Sequence, residues 1–264
     1  MERIRKALDK TYQKQAVLSG TEAAPAVARP GGRIEYTQTR SVPISQDHLR
    51  RHRVISGYEP GSFTDAYKIL RTRVLQKLRE QGWNALAITS PGPAAGKTLT
   101  AINLAISLAL EVDQTVLLVD ANLRNPSVHK YFGLEPQFGL SDYLLDSVPI
   151  EKILINPKGI GRFVVLPGKR PLADSAELLS SSKMAELVDE LKSRYPSRIV
   201  IFDLPHLSTS DALGFAPYAD AALLVVEEGR TNREDLAAAI ENLHPSPILG
   251  TVLNKAEPRD SAEA

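Results

Sequence analysis

Ala85-Leu86-Ala87-Ile88-Thr89-Ser90-Pro91-Gly92-Pro93-Ala94-Ala95-Gly96-Lys97-Thr98-Leu99 is the stretch that decides the fold. An apolar, strand-like run enters a loop of small residues, and the loop passes through Gly-Lys-Thr into a helical pattern over Lys97–Leu110. That order is the context a phosphate-binding loop requires. Small residues let backbone N–H groups approach phosphate oxygens, and the helix N-terminus adds its dipole. Lys97 supplies a point charge, and the Thr98 hydroxyl is a ligand of the kind Mg²⁺ takes. The strict pattern has Gly where this chain has Pro91, and Ala94 also stands where glycine would be comfortable. As a bare pattern, a chance Gly-Lys-Thr turn is the alternative; the strand before and the helix after argue against it.

Outward from the loop, further short apolar runs occur at Val116–Val119, Phe163–Leu166, Ile199–Phe202, Ala221–Val226 and Ile248–Leu253. Helical patterns at Ser182–Arg194 and Asn232–Leu243 lie among them, and Ser62–Arg79 carries a 3.6-residue period ahead of the first strand. Continuous apolar strands alternating with helices predict an α/β fold, a mostly parallel twisted sheet with helices on both faces. Met1–Gln15 reads as a short amphipathic basic helix that could lie on a membrane surface or dock in a partner's groove, the thin apolar face favouring docking, and residues 16–50 read as a mobile linker. The expected division is therefore a basic helix and linker over 1–60, an ATPase-like domain over 61–256 and a polar tail over 257–264.

Composition narrows the function. The chain has 264 residues, 43% hydrophobic and 24% charged, an ordinary globular mix. It has no cysteine, which excludes disulfides, thiolate metal sites and a cysteine nucleophile. No apolar run is long enough to span a bilayer and the first residues are no signal peptide, so a cytoplasmic location is expected. The formal charge of +1 hides an asymmetry: residues 1–80 hold 16 Lys and Arg against 8 Asp and Glu, and residues 81–264 hold 16 against 23. A basic arm on an acidic body either reaches for an anionic partner or is simply solvated. The run Arg50-Arg51-His52-Arg53 lacks aromatic interleaving, so nucleic acid is not the expected partner.

Two aspartates end apolar runs, Asp120 after Val116–Val119 and Asp203 after Ile199–Phe202. In open α/β sheets ligands bind beyond the carboxyl ends of strands, so both suit an Mg²⁺ site. Either one alone is also compatible with a helix N-cap or a turn.

The segment Asp120-Ala121-Asn122-Leu123-Arg124 followed by Asn125–Gly133 resembles the second Walker motif of the bacterial tyrosine kinases of exopolysaccharide and capsule operons, a branch of the P-loop ATPases. Ala176–Ser181, Asp211-Ala212-Leu213, Leu224-Val225-Val226 and Leu249–Lys255 extend the resemblance over roughly residues 60–256. It implies that ATP contacts Pro93, Ala94, Ala95, Gly96, Lys97, Thr98, Leu99, Asn122 and Arg124, with Asn254 near the adenine. It implies Lys97, Asp120 and Asp203 as the catalytic set, Asp120 being base or transition-state carboxylate, and Thr98, Asp120 and Asp203 as Mg²⁺ ligands. It further implies work at the inner face of the plasma membrane with a membrane polysaccharide co-polymerase or chain-length regulator. Self-association would use the helix carrying Asp65, Lys68 and Arg71, where the family has Glu, Arg and Arg.

Some positions depart from the family pattern. Asn122 stands where Asp is usual, which predicts weaker Mg²⁺ affinity or slower transfer. No tyrosine follows Tyr218, so tail autophosphorylation is not expected; Tyr12 and Tyr36 are the accessible acceptors. Leu204 and His206 replace a usual Thr and Pro, and His206 is expected to be solvated. Trp83 is expected to pack at the sheet's edge. Two other readings are a nucleotide-dependent scaffold that has lost turnover, and a partition-type positioning ATPase. The latter class carries a second lysine where this chain has Gly92.

Overall fold

The computed structural model describes residues 39–56, 61–111, 114–195 and 197–256. The expected helix at Met1–Gln15 and tail at 257–264 lie outside them, as do Tyr12 and Tyr36.

Strand β1 (Arg40–Val42) and helix α1 (Gln46–Arg51) lead to the long helix α2 (Ser62–Gln81). Then come β2 (Ala85–Thr89), α3 (Lys97–Ala109), β3 (Thr115–Asp120), the single turn α4 (Val128–Tyr131), α5 (Leu140–Asp146), β4 (Ile155–Pro157) and β5 (Phe163–Leu166). The chain continues through α6 (Ser175–Leu179), α7 (Ser182–Ser193), β6 (Arg198–Asp203), α8 (Ser210–Phe215), β7 (Ala221–Glu227), α9 (Arg233–Leu243) and β8 (Ile248–Asn254). The eight strands form one sheet in the order β1-β4-β5-β3-β6-β2-β7-β8. Every neighbouring pair is parallel except β4 with β5. The expected α/β class and its mostly parallel sheet are what the structure shows.

Alternation along the strands explains the two layers of core, because successive side chains point to opposite faces. Leu86, Ile88, Val116 and Leu118 join one apolar cluster with α2 and α3, while Ala85, Ala87, Leu117 and Val119 join the other with α7 and α8. Helix α3 is buried nearly all round and carries a correspondingly apolar sequence. Its amphipathic neighbour α2 buries Tyr67, Val74, Leu75 and Leu78 and stops at Gly82, whose φ of 69° supplies the left-handed cap. Trp83 lies partly buried against the α2–α3 side of the core, just before β2, which is an interior strand and not the expected sheet edge.

The linker expectation for residues 16–50 needs correction at its far end. Arg40–Val42 is a sheet strand, paired in parallel with Ile155–Pro157. The Leu49 side chain is fully buried, and Val54 and Ile55 are buried after it. Folded structure thus begins by residue 40, ahead of Ser62. The reason is scale: a three-residue strand and a six-residue helix with one buried side chain are too short to show a period. Tertiary contacts hold them. The fully buried Asn103 amide of α3 donates to Arg53 O at 3.0 Å and accepts from Ile55 N at 2.9 Å.

Among the described residues no helix is long and apolar enough to cross a membrane.

Candidate active site

Strand β2 ends at Thr89, and the chain turns through Ser90–Gly96 into α3. Two residues of this loop take left-handed backbone, Ala94 with φ 61° and Gly96 with φ 90°. Only Gly96 is conformationally suited to it. A Cβ at Gly96 would also press on the Asn254 side-chain amide, which would have to shift. Asn254 and Lys255, at the end of β8, brace the loop from outside. Asn254 Nδ2 donates to Ala95 O at 2.8 Å, and Lys255 Nζ donates to Ala94 O at 2.9 Å while pairing with Glu227 at 2.8 Å. Pro93 and Ala94 are exposed, Ala95 and Thr98 buried, and Lys97 and Leu99 half-buried. Ala94, at one of the two departures from the strict pattern, is held in a conformation that costs an L-residue about 1 kcal/mol.

Facing the loop are the ends of β3 and β6. Asp120 and Asp203 are register partners across these two strands, and both are fully buried. Asp120 Oδ2 accepts N–H groups from Ser127 at 2.9 Å and Val128 at 3.0 Å, where the chain enters α4. Asp203 Oδ2 accepts the Thr98 hydroxyl at 2.7 Å. The second oxygen of each carboxylate, Oδ1, is buried with no hydrogen-bond partner among the described residues. Burial first, and the Asp203 charge second, push Asp120 up to about 7 against the pull of the Val128, Ser127 and Asn122 N–H groups. Burial also pushes Asp203 up to about 6, with Lys97 and the Thr98 hydroxyl holding it down.

Two orphaned carboxylate oxygens beside a hydroxyl form the hard-oxygen donor set that Mg²⁺ takes, so the residues present fit the metal. Among the described residues there is no group of three or more His, Cys, Asp or Glu that could hold a metal ion.

Most residues singled out in the sequence converge here. Asn122 is buried beside Asp120. The half-exposed Arg124 donates through Nε to Asp211 Oδ2 at 2.6 Å. Asp211 was quoted above only as part of the resemblance and Ser175 was not singled out. Yet Asp211 is fully buried at the start of α8 and also accepts the Ser175 hydroxyl. Lys255 and the Ser127 and Val128 amides were missed as well, since backbone donors leave no mark in a sequence. His206 is not simply solvated: it is partly buried, pairs with Ser208, and is shifted down by burial, Lys97 and Arg124. Leu204 is fully buried and donates its N–H to Ile88 O. The trio on α2 divides: Lys68 pairs with Asp65 at 2.8 Å, whereas Arg71 turns inward to Glu111 at 2.8 Å and Ser107 O at 3.2 Å.

No model of a known protein family matches the chain. Individual proteins do. The tyrosine-protein kinase YwqD of Bacillus subtilis is 37% identical over 205 residues, 76% of this chain and 85% of that protein. The tyrosine-protein kinase etk of Escherichia coli is 31% identical over 196 residues; the match takes in 73% of this chain but 26% of that longer protein. Among solved structures, the kinase domain of the Escherichia coli tyrosine kinase ETK superposes with a TM-score of 0.70 at 27% identity, covering 85% of this chain and 91% of that one.

Proposed function

The chain belongs to the bacterial tyrosine-protein kinase family, and on that premise we propose that it transfers the γ-phosphoryl group of ATP to tyrosine hydroxyls in exopolysaccharide or capsule assembly. The observation that carries the reading is the pair of buried, unpartnered carboxylate oxygens at adjoining strand ends, beside Thr98 and opposite the Gly96-Lys97 turn.

The loop amides from Pro93 to Leu99 and the Lys97 ammonium cradle the phosphates, and Asn254 borders the adenine from its brace on the loop. Thr98, Asp120 and Asp203 hold Mg²⁺, which supplies neutralisation of the charge that develops on the phosphates. Asn122 and Arg124 line the phosphate end. Transfer breaks the bond from the γ-phosphorus to the β–γ bridging oxygen, which leaves with ADP, and forms the bond from the tyrosine oxygen. The phenolic proton passes to the Asp120 carboxylate at the end of β3. Positioning and electrostatics do the work. The partner is a membrane polysaccharide co-polymerase or chain-length regulator, which brings the kinase to the inner face of the plasma membrane. The exposed part of the α2 surface around Asp65 and Lys68 serves self-association.

Incubation with labelled ATP and Mg²⁺ tests the reading. Phosphotyrosine formed by the wild type and lost in Lys97→Met is the expected result. One observation favours a second reading, a nucleotide-dependent scaffold: Asn122 stands beside the metal carboxylates where the family usually has Asp. Nucleotide binding with neither hydrolysis nor phosphotyrosine would establish the scaffold instead.

A further inference from the structure

The Arg124–Asp211–Ser175 network joins the loops that leave the two carboxylate-bearing strands. Arg124 follows Asp120 in the loop after β3, and Asp211 follows Asp203 beyond β6. Ser175 begins α6, and its hydroxyl bonds to Asp211 Oδ1 while Arg124 Nε bonds to Oδ2. Both oxygens of a fully buried carboxylate are therefore engaged.

The manner of the Arg124 contact is informative. A guanidinium paired with a carboxylate frequently presents its fork and is held by two parallel bonds. Here the carboxylate takes Nε, and neither Nη group has a hydrogen-bond partner among the described residues. The arginine side chain is 45% exposed although its partner is wholly buried. Arg124 sits in the loop beyond the carboxyl end of β3, the end of the sheet that carries Asp120 and Asp203. Leu207 N donates to Ser90 O and the Thr89 hydroxyl donates to Pro205 O, which holds the loop between β6 and α8 against the phosphate-binding loop. His206 in that loop feels the charges of Lys97, Arg124 and Asp211 together.

We propose that Asp211, steadied by the Ser175 hydroxyl, is a positioning residue that fixes Arg124 with its two Nη groups toward the phosphoryl group in transit, so that Arg124 stabilises the transition state more than the bound nucleotide. The proposal rests on the kinase reading of the same site and adds to it the residues that aim the arginine. A donor held in place before the reaction gains most where charge develops and little in the ground state.

The test compares binding of ADP with binding of ADP plus aluminium fluoride and Mg²⁺, a mimic of the phosphoryl in transit, by calorimetry on the full chain, together with kcat and KM for ATP. In Asp211→Asn the affinity for the aluminium fluoride complex and kcat should each fall about tenfold or more, while ADP affinity and KM stay within about twofold. Ser175→Ala should show the same pattern at about two- to threefold, and Arg124→Lys combined with Asp211→Asn should be no worse than Arg124→Lys alone. Asp211→Asn with a lowered thermal midpoint but an unchanged ratio of the two affinities would reduce the network to a structural brace and overturn the proposal, as would Arg124 and Asp211 effects that multiply. A wild type that binds nucleotide without turnover leaves the affinity ratio to decide. Failure of the wild type to bind ADP at all would bring down the kinase reading and this proposal together, a distinct signature.

Discussion

The two flanks of the site are built on opposite principles. The flank made by Ala94–Thr98 is mostly backbone: a left-handed glycine, a strained alanine, and carbonyls pinned by Asn254 and Lys255. The flank made by Asp120 and Asp203 is side chain: two carboxylates forced underground at the ends of fully buried strands, each with one oxygen unpartnered. The first is sensitive to volume and conformation. The second is sensitive to charge, and it carries electrostatic strain that a bound cation would relieve. On the proposed reading the two flanks divide the work: the backbone flank holds the phosphates, and the carboxylate flank holds the cation that offsets their charge.

The contrast can be broken most sharply with one substitution on each side. Gly96→Ala places a methyl group against the Asn254 amide and asks for φ of 90°, so nucleotide affinity should drop with the thermal midpoint lowered. Asp203→Asn should cut phosphoryl transfer by about 10²–10³-fold, the usual scale for losing one charge-stabilising group. It should nevertheless raise the thermal midpoint of the nucleotide-free protein at pH 8. If Asp203→Asn destabilised the free protein at that pH, the account of the carboxylate flank would fail.

The pH dependence sharpens the same point. Both carboxyls bind protons more tightly folded than unfolded, so their contribution to stability is fully present below about pH 4. It is lost as pH rises through about 6 and about 7. Denaturation of the metal-free protein between pH 5 and 8, compared with Asp203→Asn, should show the wild type losing stability over that window and the variant losing less. Added Mg²⁺ and nucleotide should close the gap, since they bind the ionised pair in the folded state.

Smaller effects belong to the braces. Asn254→Ala removes one hydrogen bond to the loop and should cost about 1 kcal/mol, read as a few-fold rise in the nucleotide dissociation constant. Ala94→Gly relaxes the strained residue and should stabilise the fold by about 1 kcal/mol or less, with no loss of binding. Both are measurable by urea titration, and a destabilised Ala94→Gly would show that the loop's conformation is not strained there.

How legible the site was depended on how its parts are made. Strands β2, β3, β5, β6 and β7 were visible because strands buried on both faces read as unbroken apolar runs; β8 reads the same way although it is a part-exposed edge strand. Lys97, Asp120 and Asp203 were visible because charged residues at the ends of such runs are conspicuous. Short elements were not: β1, β4, α1 and α4 have too few residues for a period, and their stability comes from partners distant in the chain. Arg124 drew notice as part of a motif, but its bond to Asp211 spans 87 positions and no local pattern announces it. The reach of Lys255 to Ala94 spans 161, and is equally silent.

What the linear chain determined was the class of fold, and it singled out the Gly96-Lys97-Thr98 turn and the two strand-end aspartates as candidates, because hydrophobic periodicity and small-residue loops are local properties. What only the tertiary structure decided was which groups are left over. Two carboxylate oxygens without partners, an arginine engaged through one nitrogen, and a folded start at residue 40 instead of 62 all depend on burial and on long-range pairing. Burial is a property of the assembled layers, and it raises the proton affinity of two ordinary aspartates well above the usual carboxylate range.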